Sequence, residues 1–428
     1  MGRFGFHRAR LLWSFIVLSL LGPVVATFGQ CYQVESIVEG PPCGGQNRYE
    51  LYPKDINLAG HACGMTACGG AGWGVSRAFV WRGTGSIEII PMPAGTFEST
   101  AYAINNRGWV AGVVRRTYPG SEQGLTAGFL YRDGQLITIW PTTLDDYRKI
   151  MINDMNDEGV IVGMEHETEP PVTQMRAFSW KDGVFTWLSD SLEGPSSEAM
   201  GINAEGTIVG WSGMGGLDCH PFVVRSGRAD EWPADPVAKT FRFDRVTDNG
   251  FILAQRYTDT WPDPYPRDVA VIGPSGRMTI MPRFNEARND CRPRSISPDG
   301  STVIGNSAVW PNDDWETFIW RGGHPEYLED LTEPAIIKPS IFSYVTGDGR
   351  LLIPCANGTF SERIHILSPA PPEPGDLSGN CLIGFTDLVM LLGRWGTVDE
   401  EADLDESGIV DAGDILYILE AWEWSVGP

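Results

Sequence analysis

The chain has few basic side chains and few histidines for its length. It carries 32 Lys and Arg against 55 Asp and Glu, which gives a formal net charge of −23 over 428 residues. A protein this acidic repels the phosphates of nucleic acids, so we expect no nucleic-acid partner. Beyond the first thirty residues no apolar run is long enough to cross a bilayer, and we expect no membrane span in the mature chain.

Catalytic and zinc-binding motifs of fixed spacing are also missing from the sequence. There is no GxSxG, HExxH, P-loop or dinucleotide fingerprint. The six histidines do not cluster along the chain, and no Cys/His group has zinc-finger spacing. The sequence therefore identifies no catalytic residue. Its many carboxylates leave a glycosidase pair neither located nor excluded.

The N-terminal segment has the three parts of a leader peptide. Arg3, Arg8 and Arg10 form a basic region, an apolar run follows, and Val24 and Ala26 are the small residues of a cleavage site. We predict that residues 1–26 are a signal peptide and that the protein is secreted, extracellular or on the cell surface. The alternative interpretation is an N-terminal membrane anchor.

Export changes the interpretation of the eight cysteines. All of them follow the predicted cleavage site, and an even number in an oxidising compartment permits disulfide bonds. The early group could pair locally; its members are Cys31, Cys43, Cys63 and Cys68.

The body of the chain is built from seven copies of one phrase. An Asn- or Asp-rich turn with a fixed glycine leads into an apolar strand, as in INNRGWVAG (104–112) and INAEGTIVG (202–210). The spacing between copies stays near 45–50 residues, which is typical of propeller blades. The fixed glycines are Gly60, Gly108, Gly159, Gly206, Gly250, Gly300 and Gly349.

Each copy reads as four short strands. One strand enters the turn and one leaves it, and an aromatic strand such as RAFVW (77–81) and a further hairpin strand follow. We therefore predict a mainly β fold, a seven-bladed β-propeller over residues 31–368. The seventh copy has no fourth strand of its own, so we predict that CYQVESIV (31–38) supplies it and closes the ring. A solenoid or a pair of β-domains are the alternatives.

The phrase AxxINxxGxVVGxS followed by xAFxW resembles the HAF-type repeat of secreted bacterial proteins, over roughly residues 48–368. The histidine of that repeat is replaced by Arg77 and Arg176 and kept at His220. The resemblance implies export and carries no chemistry of its own.

After a Pro-rich linker at residues 369–375, the acidic tail contains two twelve-residue loops, DLSGNCLIGFTD (376–387) and DLDESGIVDAGD (403–414). Calcium takes six to eight oxygens, and such a loop supplies them from positions 1, 3, 5, 7 and 12. An apolar helix is predicted after each loop. The predicted ligands are Asp376, Ser378, Asn380, the Leu382 carbonyl and Asp387, then Asp403, Asp405, Ser407, the Ile409 carbonyl and Asp414.

This order of loop, helix, loop and helix resembles a dockerin type I module, spanning residues 376–428. The resemblance implies two Ca²⁺ ions and a cohesin-like or other surface protein as partner. Two departures weaken parts of it. Position 6 is Gly408 in the second loop but Cys381 in the first, so the second site should be better formed. Positions 10–11 are Phe385-Thr386 and Ala412-Gly413 where cohesin-binding dockerins often carry Ser-Thr, which argues against a cohesin as the partner. The module could instead dock the protein to another surface protein or cap its own body.

Two main function classes follow from these features, beside a third, a purely structural component of the cell surface. The first is a secreted binding or scaffold protein with a calcium-dependent docking module, whose propeller face could bind a glycan. The second is an extracellular carbohydrate-active enzyme, a glycoside hydrolase or polysaccharide lyase. Trp81, Trp180 and Trp320 occupy repeat-equivalent strand positions and should be core. The tryptophans of the variable loops, Trp73, Trp261 and Trp315, are better candidates for a binding surface.

Overall fold

The computed structural model describes residues 31–422 except for gaps at 41, 44–46, 69–75, 117–124, 144–147, 169–172, 189, 191, 193, 216–217, 233–239, 258–266, 283–289, 310–313, 322, 332–342, 347, 356–362, 371–372 and 379–382. The predicted signal peptide, residues 1–26, lies outside this part. The chain divides into two compact units, Tyr32–Ala370 and a smaller one that includes Pro371–Pro428. This division places the predicted linker at the boundary between the units.

The larger unit is made of short strands in a β-propeller arrangement. In chain order they are β1 (Cys31–Glu39), β2 (Pro42–Cys43), β3 (Asn47–Ile56), β4 (Ala62–Cys68), β5 (Arg77–Trp81), β6 (Glu88–Ile89), β7 (Thr96–Ile104), β8 (Val110–Arg116), β9 (Leu125–Arg132), β10 (Gln135–Ile139), β11 (Arg148–Met155), β12 (Ile161–Glu167), β13 (Gln174–Lys181), β14 (Val184–Trp187) and β15 (Ser196–Ile202). The series continues with β16 (Ile208–Gly215), β17 (Asp218–Arg225), β18 (Arg228–Glu231), β19 (Thr240–Val246), β20 (Ile252–Tyr257), β21 (Arg267–Ile272), β22 (Met278–Ile280), β23 (Asp290–Ile296), β24 (Thr302–Val309), β25 (Asp314–Arg321), β26 (His324–Tyr327), β27 (Tyr344–Val345), β28 (Leu351–Cys355) and β29 (Arg363–Ala370).

Hydrogen bonding groups these strands into five sheets rather than the seven that the sequence predicts. Two of the five are eight-stranded, and each combines two repeats, β7–β10 with β11–β14 and β19–β22 with β23–β26. Within each repeat the strands pair antiparallel. One parallel pair joins the two repeats in each case, Lys149 with Thr126 and Arg267 with Asp290. The count of separate sheets therefore falls because neighbouring repeats touch at these two points.

The last sheet has the order β1-β29-β28-β27, so the N-terminal strand is its outer strand. This is the closure predicted from the sequence. Val38 of β1 is 3% exposed and packs in one core cluster with Leu352 and Ile364 of the last repeat and Leu51 of the first. The two chain ends of the larger unit are thus tied into one sheet.

Two positions of the repeat phrase are glycine, each for a different physical reason. The seven fixed glycines all adopt φ between 71° and 81°, a left-handed conformation that disfavours residues with a Cβ. The glycine at the end of the phrase instead lies opposite a β-bulge of the entering strand. A Cβ on Gly112 would stand 2.1 Å from the Thr100 carbonyl oxygen and 2.8 Å from the Phe129 ring.

In five of the seven repeats an aromatic residue of the third strand fills the core. Phe79, Phe129, Phe178, Phe222 and Phe318 are all fully buried at the same position of five repeats. Trp81, Trp180 and Trp320 are 5%, 4% and 7% exposed, which confirms that they belong to the core.

The turn asparagines join one repeat to the next. Asn105 accepts hydrogen bonds at Oδ1 from the Arg107 and Trp109 amides, and its Nδ2 donates to the Asn156 carbonyl of the following repeat at 3.1 Å. The same link runs from Asn57, Asn156 and Asn203 to their next neighbours at 2.9–3.2 Å. The Asn of the repeat phrase therefore has a structural role, because its side chain hydrogen-bonds backbone groups of two turns at once.

The smaller unit contains two helices, α1 (Phe385–Gly393) and α2 (Ala412–Ala421). They follow the two predicted loops, as expected, and share a small core of Leu377, Leu391, Ala402, Val410 and Ile418. Leu392 and Leu419, apolar residues of the two helices, are 49% and 42% exposed, and Trp395, which lies beyond the end of α1, is 49% exposed. Neither helix has the length and apolar character needed to cross a membrane.

Candidate functional site

Three carboxylates meet in the second loop of the smaller unit. One oxygen each from Asp403, Asp405 and Asp414 lies within 4.8 Å of the other two. These are positions 1, 3 and 12 of the predicted calcium loop. No Lys or Arg of the described residues is paired with them; Arg394, in the same unit, is paired with Asp399 and Glu401. The cluster therefore concentrates negative charge without a basic partner.

The backbone of this loop is folded around the carboxylates. Asp403 accepts hydrogen bonds from the amides of Ser407 and Gly408 at 2.9 and 2.7 Å. Glu406 and Gly408 both have positive φ, 58° and 91°, which turns the chain back toward Asp403. The turn at position 6 has the geometry that favours glycine.

The remaining predicted ligands of the second loop lie next to one another. The Ser407 hydroxyl donates to the Ile409 carbonyl at 3.0 Å, so the oxygens of positions 5 and 7 are in contact. Gly413 leaves room for Asp405, because a Cβ on Gly413 would stand 2.0 Å from Asp405 Oδ2. All five predicted metal ligands bind through oxygen, the ligand atom that Ca²⁺ and Mg²⁺ prefer. The residues present therefore fit a hard divalent cation.

Asp414 links the loop to the helix that follows it. Its side chain is fully buried at the start of α2 and accepts hydrogen bonds from the amides of Leu404, Asp405 and Asp411. It also forms a capping box with Asp411 at the N-terminus of α2. The orientation of this carboxylate is thus fixed by backbone groups from both ends of the loop.

The first loop is described only in part. Asp387 is fully buried and accepts from the Ser378 and Gly384 amides at 2.8 Å each, which matches the role of Asp414. Asp376 is 5% exposed and accepts a long hydrogen bond from the Ser378 hydroxyl at 3.4 Å. Asn380, Cys381 and Leu382 lie outside the described residues, so positions 5, 6 and 7 are not placed.

A second candidate site lies in the larger unit, where the inner strands of the repeats converge. It is a cavity of about 160 Å³ walled by residues from all seven repeats. Among the described residues its wall carries four aspartates and one arginine: Asp55, Asp154, Asp157, Asp248 and Arg245. The cavity is therefore polar and carries a net negative charge.

Asp55, Asp154 and Arg245 occupy the same place in three different repeats. Each directly precedes the apolar residue of the repeat phrase, and each follows a β-bulge of its inner strand. Arg245 Nη1 lies 3.5 Å from Asp55 Oδ1. Asp55 also accepts from the Ile104 amide, and Asp154 from the Ile202 amide, both at 2.9 Å. The two carboxylates thus bond to the inner strand of the next repeat in the same way.

Burial of these groups shifts their protonation. Desolvation raises the pKa of Asp154 to about 7, with a further contribution from Asp55 and an opposing one from Arg245. Desolvation also raises the pKa of Asp55, again against Arg245. Burial works to lower the pKa of Arg245, but Asp55 and Asp154 outweigh it and the pKa is raised. Arg245 therefore stays charged while Asp154 exchanges its proton near neutral pH.

Sequence reasoning missed this cluster. The signal was present in the repeat phrase, in the residue just before its Ile, Met or Val: Asp55, Ala103, Asp154, Gly201, Arg245, Ser295 and Tyr344. Two other repeats have Ala or Gly at this position, so the strands and turns of the repeat do not require a charged residue there.

Three tryptophans were predicted to lie in variable loops. Trp73 and Trp261 lie outside the described residues. Trp315 belongs to strand β25 rather than to a loop, which corrects its predicted place.

The cysteine prediction also changes. Cys31 is disulfide-bonded, whereas Cys63 is a fully buried free thiol. Burial raises the pKa of the Cys63 thiol well above its usual value. Local pairing that involves Cys63 is therefore wrong, because its side chain points into the β core.

No protein-family model matches the sequence, and no curated protein matches it either. Solved structures do. Virginiamycin B lyase from Staphylococcus aureus aligns at 12% identity over 79% of this chain and 100% of that one, with a TM-score of 0.46. An oligogalacturonate lyase in complex with manganese aligns at 10% identity over 80% and 97%, with a TM-score of 0.48. A gluconolactonase from Xanthomonas campestris aligns at 11% identity over 65% and 96%, with a TM-score of 0.32.

Proposed function

We propose that this chain is an exported binding or scaffold protein, a β-propeller joined to a calcium-dependent, dockerin-like docking module. The observation that carries the proposal is the meeting of Asp403, Asp405 and Asp414 within 4.8 Å, at the spacing that a calcium loop requires. A disulfide at Cys31 supports export, because disulfides persist in oxidising compartments. The signal-peptide pattern of residues 1–26 supports the same location.

The propeller has seven blades in this proposal, one for each repeat. Each eight-stranded sheet then counts as two blades that touch through one parallel residue pair. The antiparallel set of strands in every repeat, and the asparagine links between consecutive repeats, support this count.

The second loop binds Ca²⁺ more tightly than the first. Its ligands are Asp403, Asp405, Ser407, the Ile409 carbonyl and Asp414, and it has Gly408 at the turn. The first loop uses Asp376, Ser378, Asn380, the Leu382 carbonyl and Asp387. It has two carboxylates instead of three, and Cys381 at the turn, so its affinity is lower.

Calcium titration calorimetry on the full mature chain tests this assignment. We expect two binding events, of which Asp403→Asn abolishes the tighter and Asp387→Asn the weaker. Glu400→Gln, a change at an exposed acid of the same unit, is the control and should leave both events intact. Calcium binding that is unchanged in an Asp403→Asn, Asp414→Asn double variant would contradict the proposal.

The docking surface is the exposed side of α1. Phe385, Val389 and Leu392 are spaced for one helical face and are 70%, 50% and 49% exposed. A face this apolar on a small unit favours contact with another protein. The partner is a cohesin-like or other surface protein, and Leu392→Glu should weaken binding to a purified cohesin module in calcium buffer. Equal binding by the variant and the native chain would remove this face from the proposal.

A polysaccharide panel separates binding from catalysis. The mature protein is incubated with each polymer in calcium and in chelator, and both retention and release of reducing ends are scored. Retention without cleavage supports a glycan-binding propeller. Release of reducing ends would instead support the second function, a glycoside hydrolase or polysaccharide lyase.

A further inference from the structure

The disulfide of Cys31 lies beside a predicted ligand of the first calcium loop. Cys31 Sγ is 3.8 Å from Asp376 Oδ2, although 345 positions separate the two residues in the sequence. Both residues belong to the smaller unit. Cys31 is disulfide-bonded, and an S–S bond is about 2 Å long, so the partner sulfur lies within about 6 Å of that carboxylate oxygen.

Four cysteines are candidates for the partner of Cys31. Three of the others take part in no disulfide: Cys63, Cys219 and Cys291. The candidates that remain are Cys43, Cys68, Cys355 and Cys381. The strand order decides among them, because the Cα atoms of bonded cysteines lie within about 7 Å of each other.

Cys43 and Cys355 lie toward the end of β1 that is opposite Cys31. Cys31 and Glu39 are the two ends of this nine-residue strand, and a rise of about 3.3 Å per residue puts them about 26 Å apart. The four residues from Glu39 to Cys43 span at most about 14 Å, so Cys43 stays at least about 12 Å from Cys31. Cys355 pairs with Arg363 across the last sheet, and Arg363 Nη2 lies 3.0 Å from Glu39 Oε1.

Cys68 lies toward the same far end. The turns of the first and seventh repeats are neighbours, since a Cβ on Gly60 would stand 2.9 Å from Arg350 Nη2. Arg350 Nη1 in turn lies 3.7 Å from Glu35, in the middle of β1. Strand β4 leaves the first of these turns and ends at Cys68, about 20 Å away along its seven residues. Like β28, it runs away from the turns and hence away from Cys31.

The second calcium loop shows that positions 1 and 6 of such a loop are adjacent. Asp403 Oδ2, at position 1, accepts a hydrogen bond from the Gly408 amide, at position 6, at 2.7 Å. Asp376 and Cys381 occupy positions 1 and 6 of the first loop. Cys381 lies outside the described residues, but its place in the sequence puts a cysteine next to the carboxylate that Cys31 contacts.

We propose that Cys31 and Cys381 form this disulfide, and that the bond ties the first calcium loop to the first residue of β1. The bond forms by thiol–disulfide exchange. The two thiols lose two protons and two electrons to the disulfide of an oxidoreductase in the export compartment, and that disulfide becomes two thiols. The exchange of the turn glycine for cysteine at position 6 then has a chemical reason.

The bond also affects the calcium affinity of the first loop. A loop that is already restricted by a covalent bond loses less conformational entropy when it binds its ligand. Removal of the bond should therefore weaken the weaker calcium event and leave the tighter one, at Asp403, unchanged. This part of the inference rests on the proposed calcium function, whereas the bond itself does not.

Peptide mapping by mass spectrometry tests the bond in the full mature chain, recovered from the exported fraction. Thiols are blocked with N-ethylmaleimide at mildly acidic pH before digestion, which prevents exchange. We expect one cross-linked pair of peptides that contains Cys31 and Cys381 and separates on reduction. A cross-link from Cys31 to any other cysteine, or labelling of Cys31 without prior reduction, would overturn the proposal.

Calcium titration of the Cys31→Ser, Cys381→Ser double variant tests the effect on the loop. We expect the affinity of the weaker event to fall about tenfold, with the tighter event unchanged. Cys219→Ser changes a thiol that takes part in no disulfide, and as the matched control it should bind as the native chain does. If the double variant does not fold, the native chain is compared before and after reduction. An unchanged weaker event would overturn the effect on calcium.

The two measurements fail independently of each other. A mapped bond between Cys31 and Cys381 in a chain that binds no calcium would support the bond and contradict the proposed calcium function. Two calcium events in a chain whose Cys31 is bonded elsewhere would support the calcium loops and contradict the bond.

Discussion

At the scale of single residues, two glycines of the fourth repeat illustrate different constraints on one repeat phrase. Gly206 has φ +81° and open space around the position of a Cβ, whereas a Cβ on Gly210 would stand 2.1 Å from the Glu198 carbonyl oxygen. Gly206→Ala should cost about 1 kcal/mol of unfolding free energy from backbone strain alone. Gly210→Ala should cost about 3 kcal/mol, because backbone must move.

Urea unfolding of both variants measures this difference. Gly206→Asn is the control, since Asn tolerates a left-handed conformation better than Ala and should recover part of the loss. If Gly206→Ala proved the more damaging of the two alanine variants, the crowding at Gly210 would have been overestimated.

Asp154 should make the stability of the larger unit depend on pH. Its pKa in the folded chain is about 7, while an unfolded Asp titrates near 3.9. The folded state therefore holds more protons between these values, and unfolding free energy falls as pH rises from about 4 to about 7. Relative to the native chain, Asp154→Asn should gain stability across that window and change no further above it.

Thermal unfolding of the native chain and of Asp154→Asn from pH 5 to pH 8 checks the sign. Asp133→Asn, on the surface, should track the native chain at every pH. A constant gap between native chain and Asp154→Asn would mean that Asp154 is ionised throughout.

At the scale of elements, only one face of strand β1 is expected to stabilise the last sheet. Val38 is buried at 3% exposure, and its neighbour Ile37 points outward at 48%. Val38→Ala should lower the unfolding free energy by about 2 kcal/mol, because it removes apolar contacts with the first and last repeats. Ile37→Ala changes the same strand and should have little effect in the same urea titration. Equal losses of unfolding free energy in the two variants would argue against stabilisation through the buried face of β1.

The sequence predicted most of these elements, because hairpin turns and alternating strands are local signals. The strand around RAFVW (77–81), the closing strand β1 and the helices after the two loops lie where expected. The number of separate sheets was not predicted, since it depends on single parallel contacts such as Lys149 with Thr126. The Asp55, Asp154 and Arg245 cluster was missed for a related reason. Residues up to 190 positions apart meet only once the ring has closed.

At the scale of the whole molecule, the two compact units should unfold separately, because each has a hydrophobic core of its own. Calorimetry should therefore resolve two transitions. Calcium should raise only the one that belongs to the smaller unit, since binding stabilises just the unit that binds. Asp414→Ala should remove that shift and leave the larger transition in place. A single transition that moves as a whole with calcium would show that the units unfold together.

The pairing of β1 with β29 also has a consequence for the order of events during synthesis. The outer strand of the last sheet leaves the ribosome first, and its partner, Arg363–Ala370, leaves more than three hundred residues later. Until then β1 has an unsatisfied edge, which is a site for pairing with other chains. Pairing of strands so far apart in the sequence costs little additional loop-closure entropy, but it forms slowly. During most of elongation, β1 of the nascent chain therefore lacks the strand with which it pairs. This interval is when a chaperone would act on it.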